Sequence, residues 1–290
     1  MSRVAVTGGT GFIGPHVVAR LVGDGHTVRV LARRPERVGA LEGAELVAGD
    51  MTDADSLRRL VEGCEVVVDL VAILLGSREA FERVMIKGTR DLVASAREGG
   101  ARRFLLMSAL GTGEETKDVS DYFRAKWEEE RTVADSGLEH TIFRPSFVFG
   151  REGGILPGLL RLARWSPVMP VPSERRLQPV WVDDVAAYFA KAVAHGPTGI
   201  WELGGPDAVT WAELYERIRR TIGKRRLAVH VPSGLMRVGA SAGELLPPLR
   251  GARGGVEMLT GADNVTDIGP AVAAFGIDPI GLDEQLQRAA

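Results

Sequence analysis

The stretch "VAVTGGTGFIGPHVV", residues 4–18, joins a short β-branched run to an amphipathic, helix-like run through glycines spaced three apart, Gly8, Gly11 and Gly14. The run RVAVT (3–7) reads as a buried strand, FIGPHVVARLVGDG (12–25) as a helix with a glycine-rich stop, and TVRVLAR (27–33) as a second strand. The glycines therefore sit inside a βαβ unit. They satisfy both Gly9-x-Gly11-x-x-Gly14 and Gly8-x-x-Gly11-x-x-Gly14. In that setting the first glycine makes a tight turn and the second lets a pyrophosphate approach the backbone. The third lets the helix pack closely on the strand. The helix start offers free N–H groups and a partial positive charge to the phosphates. Pro15 fits only in the first turn, where a missing N–H matters least, and so places the helix start at the glycines. An accidental tight turn is the plain alternative; the order strand, glycines, helix favours a dinucleotide.

The end of the second strand selects the dinucleotide. An NAD site places an Asp or Glu there for the ribose hydroxyls. Here the chain reads VLARRPER, with Arg33 and Arg34 and no acid among the strand's last residues. Two guanidinium groups suit a 2′-phosphate, so NADP(H) is expected over NAD(H). The plain alternative is that both arginines cap a surface loop. Asp50, closing the third strand AELVAGD (44–50), reads equally as a partner for the adenine edge and as a turn residue.

The alternation continues with a helix over 53–61, a strand over 65–73, a long amphipathic segment over 79–98 and the strand RRFLLMSA (102–109). A helix over 121–135 and the strand HTIFRPS (140–146) follow. Strands alternating with helices predict right-handed βαβ units, an α/β fold with a doubly wound parallel sheet. After Gly150 the rhythm gives way to proline-rich loops and a short helix over 158–164. Beyond these lie a helix over 183–195, a strand over 199–205, a helix over 210–222 and a strand over 227–232. The expected domains are a dinucleotide-binding core over 1–149 and, mainly over 150–290, a smaller substrate lobe, with later segments returning to the core.

With 290 residues, 45% hydrophobic and 26% charged, the chain reads as a globular protein, and its net charge of −2 provides no field for nucleic acid. The single cysteine, Cys64, excludes an intrachain disulfide and fits a reducing cytoplasm. No signal peptide precedes the first strand, and the longest apolar stretch, VVVDLVAILL (66–75), is too short to span a bilayer. Peripheral membrane contact stays open. The five histidines show no ligand spacing, so no metal is expected. Asp183 and Asp184 read as an N-cap pair.

The segment SDYFRAKWEEE (120–130) places Tyr122 and Lys126 four apart, on one face of a helix. Ser108 closes the fifth strand, and ligands of doubly wound sheets bind at the carboxyl ends of the strands. A tyrosine with an ordinary pKa of about 10 is a poor base. A neighbouring ammonium favours its phenolate. A serine hydroxyl can hold a substrate oxygen. An ordinary surface helix is the plain alternative.

Several stretches in order, TGGTGFIG, SALG followed by YFRAK, FRPSFVFG, QPVWVDDVA, WELGGPDAVTWAEL, EMLTGADNV (257–265) and FGIDP (275–279), resemble the short-chain dehydrogenase/reductase superfamily. More narrowly they resemble its atypical extended branch, which includes the NADPH-binding accessory subunit of respiratory complex I. The resemblance runs from about residue 3 to 287. It implies a Rossmann core, NADP(H) and a Ser108–Tyr122–Lys126 triad. It implies cofactor contacts from Gly8, Gly11, Phe12, Ile13, Gly14, Arg33, Arg34, Asp50, Met51, Val71, Ala72, Lys126 and Pro145. By analogy, the helices at 79–98 and 121–135 would form a homodimer interface.

The sequence departs from the pattern in three places. Pro15 stands where relatives often carry Arg, which removes a phosphate contact. Ser146 and Phe147 follow the sixth strand's Arg where sugar-nucleotide epimerases usually have Asn. Asp69 stands where the branch usually has Asn, and a buried carboxylate needs a partner or a proton; a backbone-bonding role is read for it. The function expected is NADP(H)-dependent hydride transfer to or from a small apolar carbonyl, enone or quinone-like substrate. The alternative is a non-catalytic NADPH-binding structural, redox-sensing or assembly protein. A nucleotide-sugar epimerase or dehydratase is disfavoured.

Overall fold

Val4, Val6, Val28, Val30, Val66 and Val68 are buried on one face of the first strands and Ala5 and Val67 on the other, as in a parallel sheet covered on both faces. The computed structural model describes residues 1–39, 41–224, 227–231 and 262–290. Residues 257–261 of the EMLTGADNV stretch and the last residue of the strand expected at 227–232 lie outside the described residues.

Seven parallel strands form the sheet: β1 (Arg3–Thr7), β2 (Thr27–Ala32), β3 (Ala44–Ala48), β4 (Val66–Asp69), β5 (Arg103–Met107), β6 (Glu139–Pro145) and, from the second half, β11 (Gly199–Leu203). Their order is β11-β6-β5-β4-β1-β2-β3. This is the doubly wound α/β arrangement. The chain winds outward from β1 to β3, then returns to β4 and winds the other way. The crevice opens where the winding reverses, at the carboxyl ends of β1 and β4.

One face of the sheet carries α1 (Gly14–Gly23) and α7 (Val182–His195), packed side by side. The other carries α2 (Ala54–Val61), α4 (Gly88–Glu98) and α5 (Asp121–Ala134). The long amphipathic segment is one rod: α3 (Arg78–Phe81) runs through a wide π-helical turn, Glu82–Lys87, into α4. Ser120 caps α5 by accepting from the Phe123 N–H at 3.2 Å, which fixes where that helix starts. Trp181, not an aspartate, holds the N-cap position of α7; Asp183 and Asp184 fall in its first turn.

The remaining elements lie outside the seven-stranded sheet. β7 (Val148–Phe149) pairs with β10 (Val180–Trp181), β8 (Val168–Val171) with β13 (Leu227–His230), and β9 (Arg176–Leu177) with β12 (Val209–Thr210). Around them lie α6 (Leu156–Trp165), α8 (Trp211–Ile222), α9 (Gly269–Phe275) and α10 (Leu282–Ala289). An aromatic cluster ties these elements to the sheet: Phe143 of β6 meets Phe189 of α7 at 4.8 Å and Phe275 of α9 at 5.4 Å between ring centroids. Cys64 is buried, and burial raises its thiol pKa, as suits an inert residue. Among the described residues, no helix is long and apolar enough to cross a membrane.

Candidate active site

The glycine loop is shaped by close approach. Gly8 has φ +71°, and a Cβ there would lie 2.7 Å from the carbonyl carbon of Leu70, just past β4. A Cβ on Gly14 would lie 2.4 Å from the Gly8 oxygen, so the first turn of α1 can sit on the loop only with glycine there. Gly11 is different: its N–H donates to the Gly8 carbonyl at 3.0 Å, and a Cβ would meet that same oxygen alone, at 3.3 Å. Its outer side is open, as a phosphate cradle requires. Ile13, buried at the N-cap, gives α1 no side-chain cap, Pro15 lies in the first turn, and that turn holds no acid. The free N–H groups and the positive end of the helix dipole are therefore left for an anion. Phe12 closes the loop from above: Gly150, Gly153 and Gly154 crowd its ring, and a Cβ on Gly153 would fall 2.3 Å from it. These features fit a dinucleotide.

At the β2 and β3 ends, Arg33 and Arg34 are exposed. Asp50 accepts from the Thr52 N–H at 2.8 Å and hydroxyl at 2.7 Å. Burial pushes its carboxyl pKa up, but Thr52, Arg33 and Arg83 outweigh that and hold it below the usual range. Met51 is buried against Gly88. Beyond β4, Val71 is half-buried and Ala72 exposed; Pro145 ends β6, its carbonyl accepting from Leu110 N–H at 2.9 Å.

On α5, Tyr122 and Lys126 share a buried face. The Tyr122 ring packs among Phe81, Met85, Ile86, Ala109 and Ala125. Lys126 is wholly buried; its Nζ donates to the Met107 carbonyl at 2.8 Å and the Val71 carbonyl at 3.4 Å, and lies 3.0 Å from Glu129. The ammonium thus bridges the ends of β4 and β5. Burial raises the Tyr122 pKa; Lys126 pulls it down and Glu129 pushes it up. The net direction is upward, so the resting group is the phenol. Burial also opposes the Lys126 charge, but Glu129, Tyr122 and Asp69 more than offset it, and its pKa is raised. Ser108, at the end of β5, donates to Glu130 of the same helix at 2.5 Å and lies 3.4 Å from the Thr112 hydroxyl.

A family model described as NAD(P)H-binding matches residues 8–157, and one described as RmlD substrate binding domain matches residues 109–237. The chain is 34% identical over 245 residues to the ceramide reductase of Caulobacter vibrioides, covering 82% of this chain and 76% of that one. The chain belongs to the NAD(P)-binding, extended short-chain dehydrogenase/reductase family. This is a family of NAD(P)-dependent reductases and dehydrogenases. It is also 31% identical over 225 residues to the mitochondrial NADH dehydrogenase (ubiquinone) 1 alpha subcomplex subunit 9 of Arabidopsis thaliana. That match covers 73% of this chain but 56% of the subunit, so the chain spans little over half its length. In fold it is similar to the Bordetella bronchiseptica enzyme WbmH, solved with NAD+, at a TM-score of 0.78 and 19% identity over 100% and 97% of the two chains.

This short-chain dehydrogenase/reductase also holds residues that the sequence reading passed over. Glu130 is gripped by Arg144 of β6, with Nε 2.8 Å and a terminal nitrogen 2.6 Å from its two oxygens. The bidentate pair keeps Arg144 charged. Arg144 also lies 3.9 Å from Glu202 of β11, which accepts from the Thr266 hydroxyl at 2.5 Å. Ser146 donates to Asn264 at 2.5 Å. These links fasten the segment around 263–266 over the ends of β6 and β11. Asp69 accepts from Val71 N–H at 3.0 Å, the backbone role expected of it, and from the hydroxyls of Thr7 at 2.7 Å and Thr89 at 3.0 Å. His16 contacts Asp183 at 2.6 Å, joining the first turns of α1 and α7. The signal for Glu129 and Glu130 was present: they follow Lys126 by three and four positions on a helix. Thr89, Arg144 and Asn264 carry no such local mark.

Proposed function

We propose that this chain is an NADP(H)-dependent oxidoreductase that moves a hydride to or from a small apolar carbonyl, enone or quinone-like substrate. The observation that carries this is the buried pair Tyr122–Lys126, seated at the carboxyl edge of β4 and β5 beside the glycine cradle. When bound, the reduced dinucleotide supplies the hydride. Gly8, Gly11 and Gly14, with the N-terminus of α1, would hold its pyrophosphate, and Arg33 and Arg34 its 2′-phosphate. The chain supplies the proton. Tyr122 rests as a phenol and gives its hydrogen to the substrate oxygen; the Lys126 ammonium stabilises the phenolate that remains. Apolar residues around the tyrosine, Phe81, Met85 and Ile86, exclude water and suit an apolar substrate. The relative from Caulobacter vibrioides is named for the reduction of ceramide, a lipid.

A second reading, that the chain holds the dinucleotide without turnover, draws support from Ser108, whose hydroxyl is already given to Glu130. Tyr122→Phe separates the two readings. Assayed with NADPH against a panel of apolar ketones, enones and quinones, the variant should lose turnover while its NADPH affinity, read by nicotinamide fluorescence, stays unchanged. Turnover equal to the parent's would overturn the catalytic reading. Parallel titration with NADPH and NADH tests the arginines: comparable affinity for both would overturn the preference for NADP(H).

A further inference from the structure

Behind Tyr122 and Lys126 lies a chain of buried polar groups that the proposed reaction does not yet use. Asp69, Thr89, Lys126 and Glu129 are each buried without measurable exposure. They come from three elements: the end of β4, the start of α4 and two positions on α5. Glu129 lies between Lys126, 3.0 Å from one of its oxygens, and the Thr89 hydroxyl, 3.1 Å from the other. The same hydroxyl lies 3.0 Å from Asp69.

Counting hydrogens decides what this arrangement holds. A threonine hydroxyl has one hydrogen to donate. It cannot satisfy two ionised carboxylates, so one of the two acids must itself carry a hydrogen and donate it to Thr89. Asp69 already accepts from Thr7 hydroxyl at 2.7 Å and Val71 N–H at 3.0 Å, which suits a carboxylate that stays ionised. Thr89 then donates to Asp69, and Glu129 donates to Thr89. Two buried acids beside one ammonium leave a surplus negative charge that a single proton removes. The charged and titratable groups facing Glu129 are Lys126 and Tyr122 from its own helix and Asp69 from β4. Burial pushes the Glu129 carboxyl up to about 7, with Lys126 pulling it down and Asp69 adding to the rise.

We propose that Glu129 is the proton store of this site, resupplying Tyr122 through Lys126. The inference rests on the roles of Tyr122 and Lys126 given above. In the reductive direction the Tyr122 O–H bond breaks and an O–H bond forms on the substrate oxygen, while the carbonyl carbon receives hydride from the reduced dinucleotide. An N–H of the Lys126 ammonium then returns a proton to the phenolate. The Glu129 carboxyl then turns its O–H from Thr89 toward Lys126; that O–H breaks and restores the ammonium, leaving Glu129 as a carboxylate paired with it. Water returns one proton to Glu129 between turnovers. Oxidation runs the same transfers backward. Glu129 touches neither substrate nor dinucleotide in this scheme; it acts through Lys126 as a positioning and proton-holding residue.

The test reads the proton directly. Infrared difference spectra of the NADP-bound protein, taken across a pH titration, should show a carboxylic-acid C=O band that fades near pH 7. Glu129→Gln should abolish the band, and Tyr122→Phe should keep it. Thr89→Val, which keeps the shape and removes the bridge, should shift the band to higher frequency and covers the case of a Gln variant that fails to fold. For reduction, Glu129→Gln should lower kcat about tenfold or more, at the low end of general acid–base effects, and leave no ionisation near neutrality in its pH profile. Its NADPH affinity should be unchanged, and Glu129→Asp should restore an ionisation. A band that survives Glu129→Gln, a band unmoved by Thr89→Val, or an unchanged pH profile would overturn the store. A band lost in Glu129→Gln beside a fully active Tyr122→Phe would instead overturn the catalytic reading beneath it.

Discussion

The two banks of the crevice are made of different material. On the β1–β3 bank the chain presents backbone: glycines pressed against carbonyl groups at 2.4–2.7 Å from any added Cβ, and the uncapped start of α1. On the β4–β6 bank it presents paired polar side chains, most of them buried: Lys126 with Glu129, Ser108 with Glu130, half-buried Arg144 with Glu130 and Glu202, Asp69 with Thr7 and Thr89. A backbone site is indifferent to pH and intolerant of added volume. A site of buried charges responds to every proton and to the loss of any one partner, even at constant volume. The contrast suits a division in which one bank holds a constant partner and the other moves protons.

The contrast can be broken at either bank. The largest effect is expected from Tyr122→Phe, which keeps the ring and removes the acid: kcat should fall by about 10²–10⁴-fold, measured as NADPH consumption with an active substrate. Next comes stability against pH. Glu129 moves from an ordinary 4.5 to about 7 in the folded chain, so the native state binds the extra proton between those values. Stability should therefore fall as pH rises through that window, by about 3 kcal/mol in total at ~1.4 kcal/mol per pH unit. The stability difference between Glu129→Gln and the parent in urea melts at pH 5 and pH 8 should show this term; a difference equal at both pH values would remove it.

On the other bank, Gly14→Ala forces a methyl into the Gly8 carbonyl and should cost about 1–3 kcal/mol of stability with a pH-independent loss of dinucleotide binding, read by thermal melts and fluorescence titration. The smallest effect is expected from removing both Arg33 and Arg34 by Ala substitution. Exposed charge pairs worth about 0.5–1 kcal/mol each are lost, which should weaken NADPH about fivefold to tenfold and leave NADH unchanged. Equal weakening of both would place the two arginines away from the 2′-phosphate.

The same division governs what could be read before the structure. Backbone sites write themselves locally: Gly8, Gly11, Gly14 and Pro15 lie within eight consecutive positions and fix strand, loop and helix together. The Tyr122–Lys126 spacing is legible for the same reason, since a helix repeats within one turn. The reading stopped at Lys126, although Glu129 and Glu130 follow on the same face. Thr89 reaches Glu129 from 40 positions away, and Arg144 reaches Glu130 from 14 positions away across a turn. Such contacts are decided by how α4, α5 and β6 pack, and no local pattern encodes that. Asp69 was marked by its burial, yet only the fold shows that its donors include two threonines. The N-cap expected at Asp183 moved to Trp181 because His16 and the Trp181 indole draw that aspartate sideways, at 2.6 and 2.8 Å.

The wide turn at Glu82–Lys87 sets a phase. A π-helical turn is an α-helix carrying one residue too many, and each residue rotates a helix by about 100°. Thr89 lies just beyond that turn, so the surplus residue determines which way its hydroxyl faces. Deleting one residue from 82–87 would leave a smoother helix of good local geometry. It would also swing Thr89 out of line with Asp69 and Glu129. The rod between β4 and β5 therefore has a fixed count: its length is locked to the polar chain beneath it.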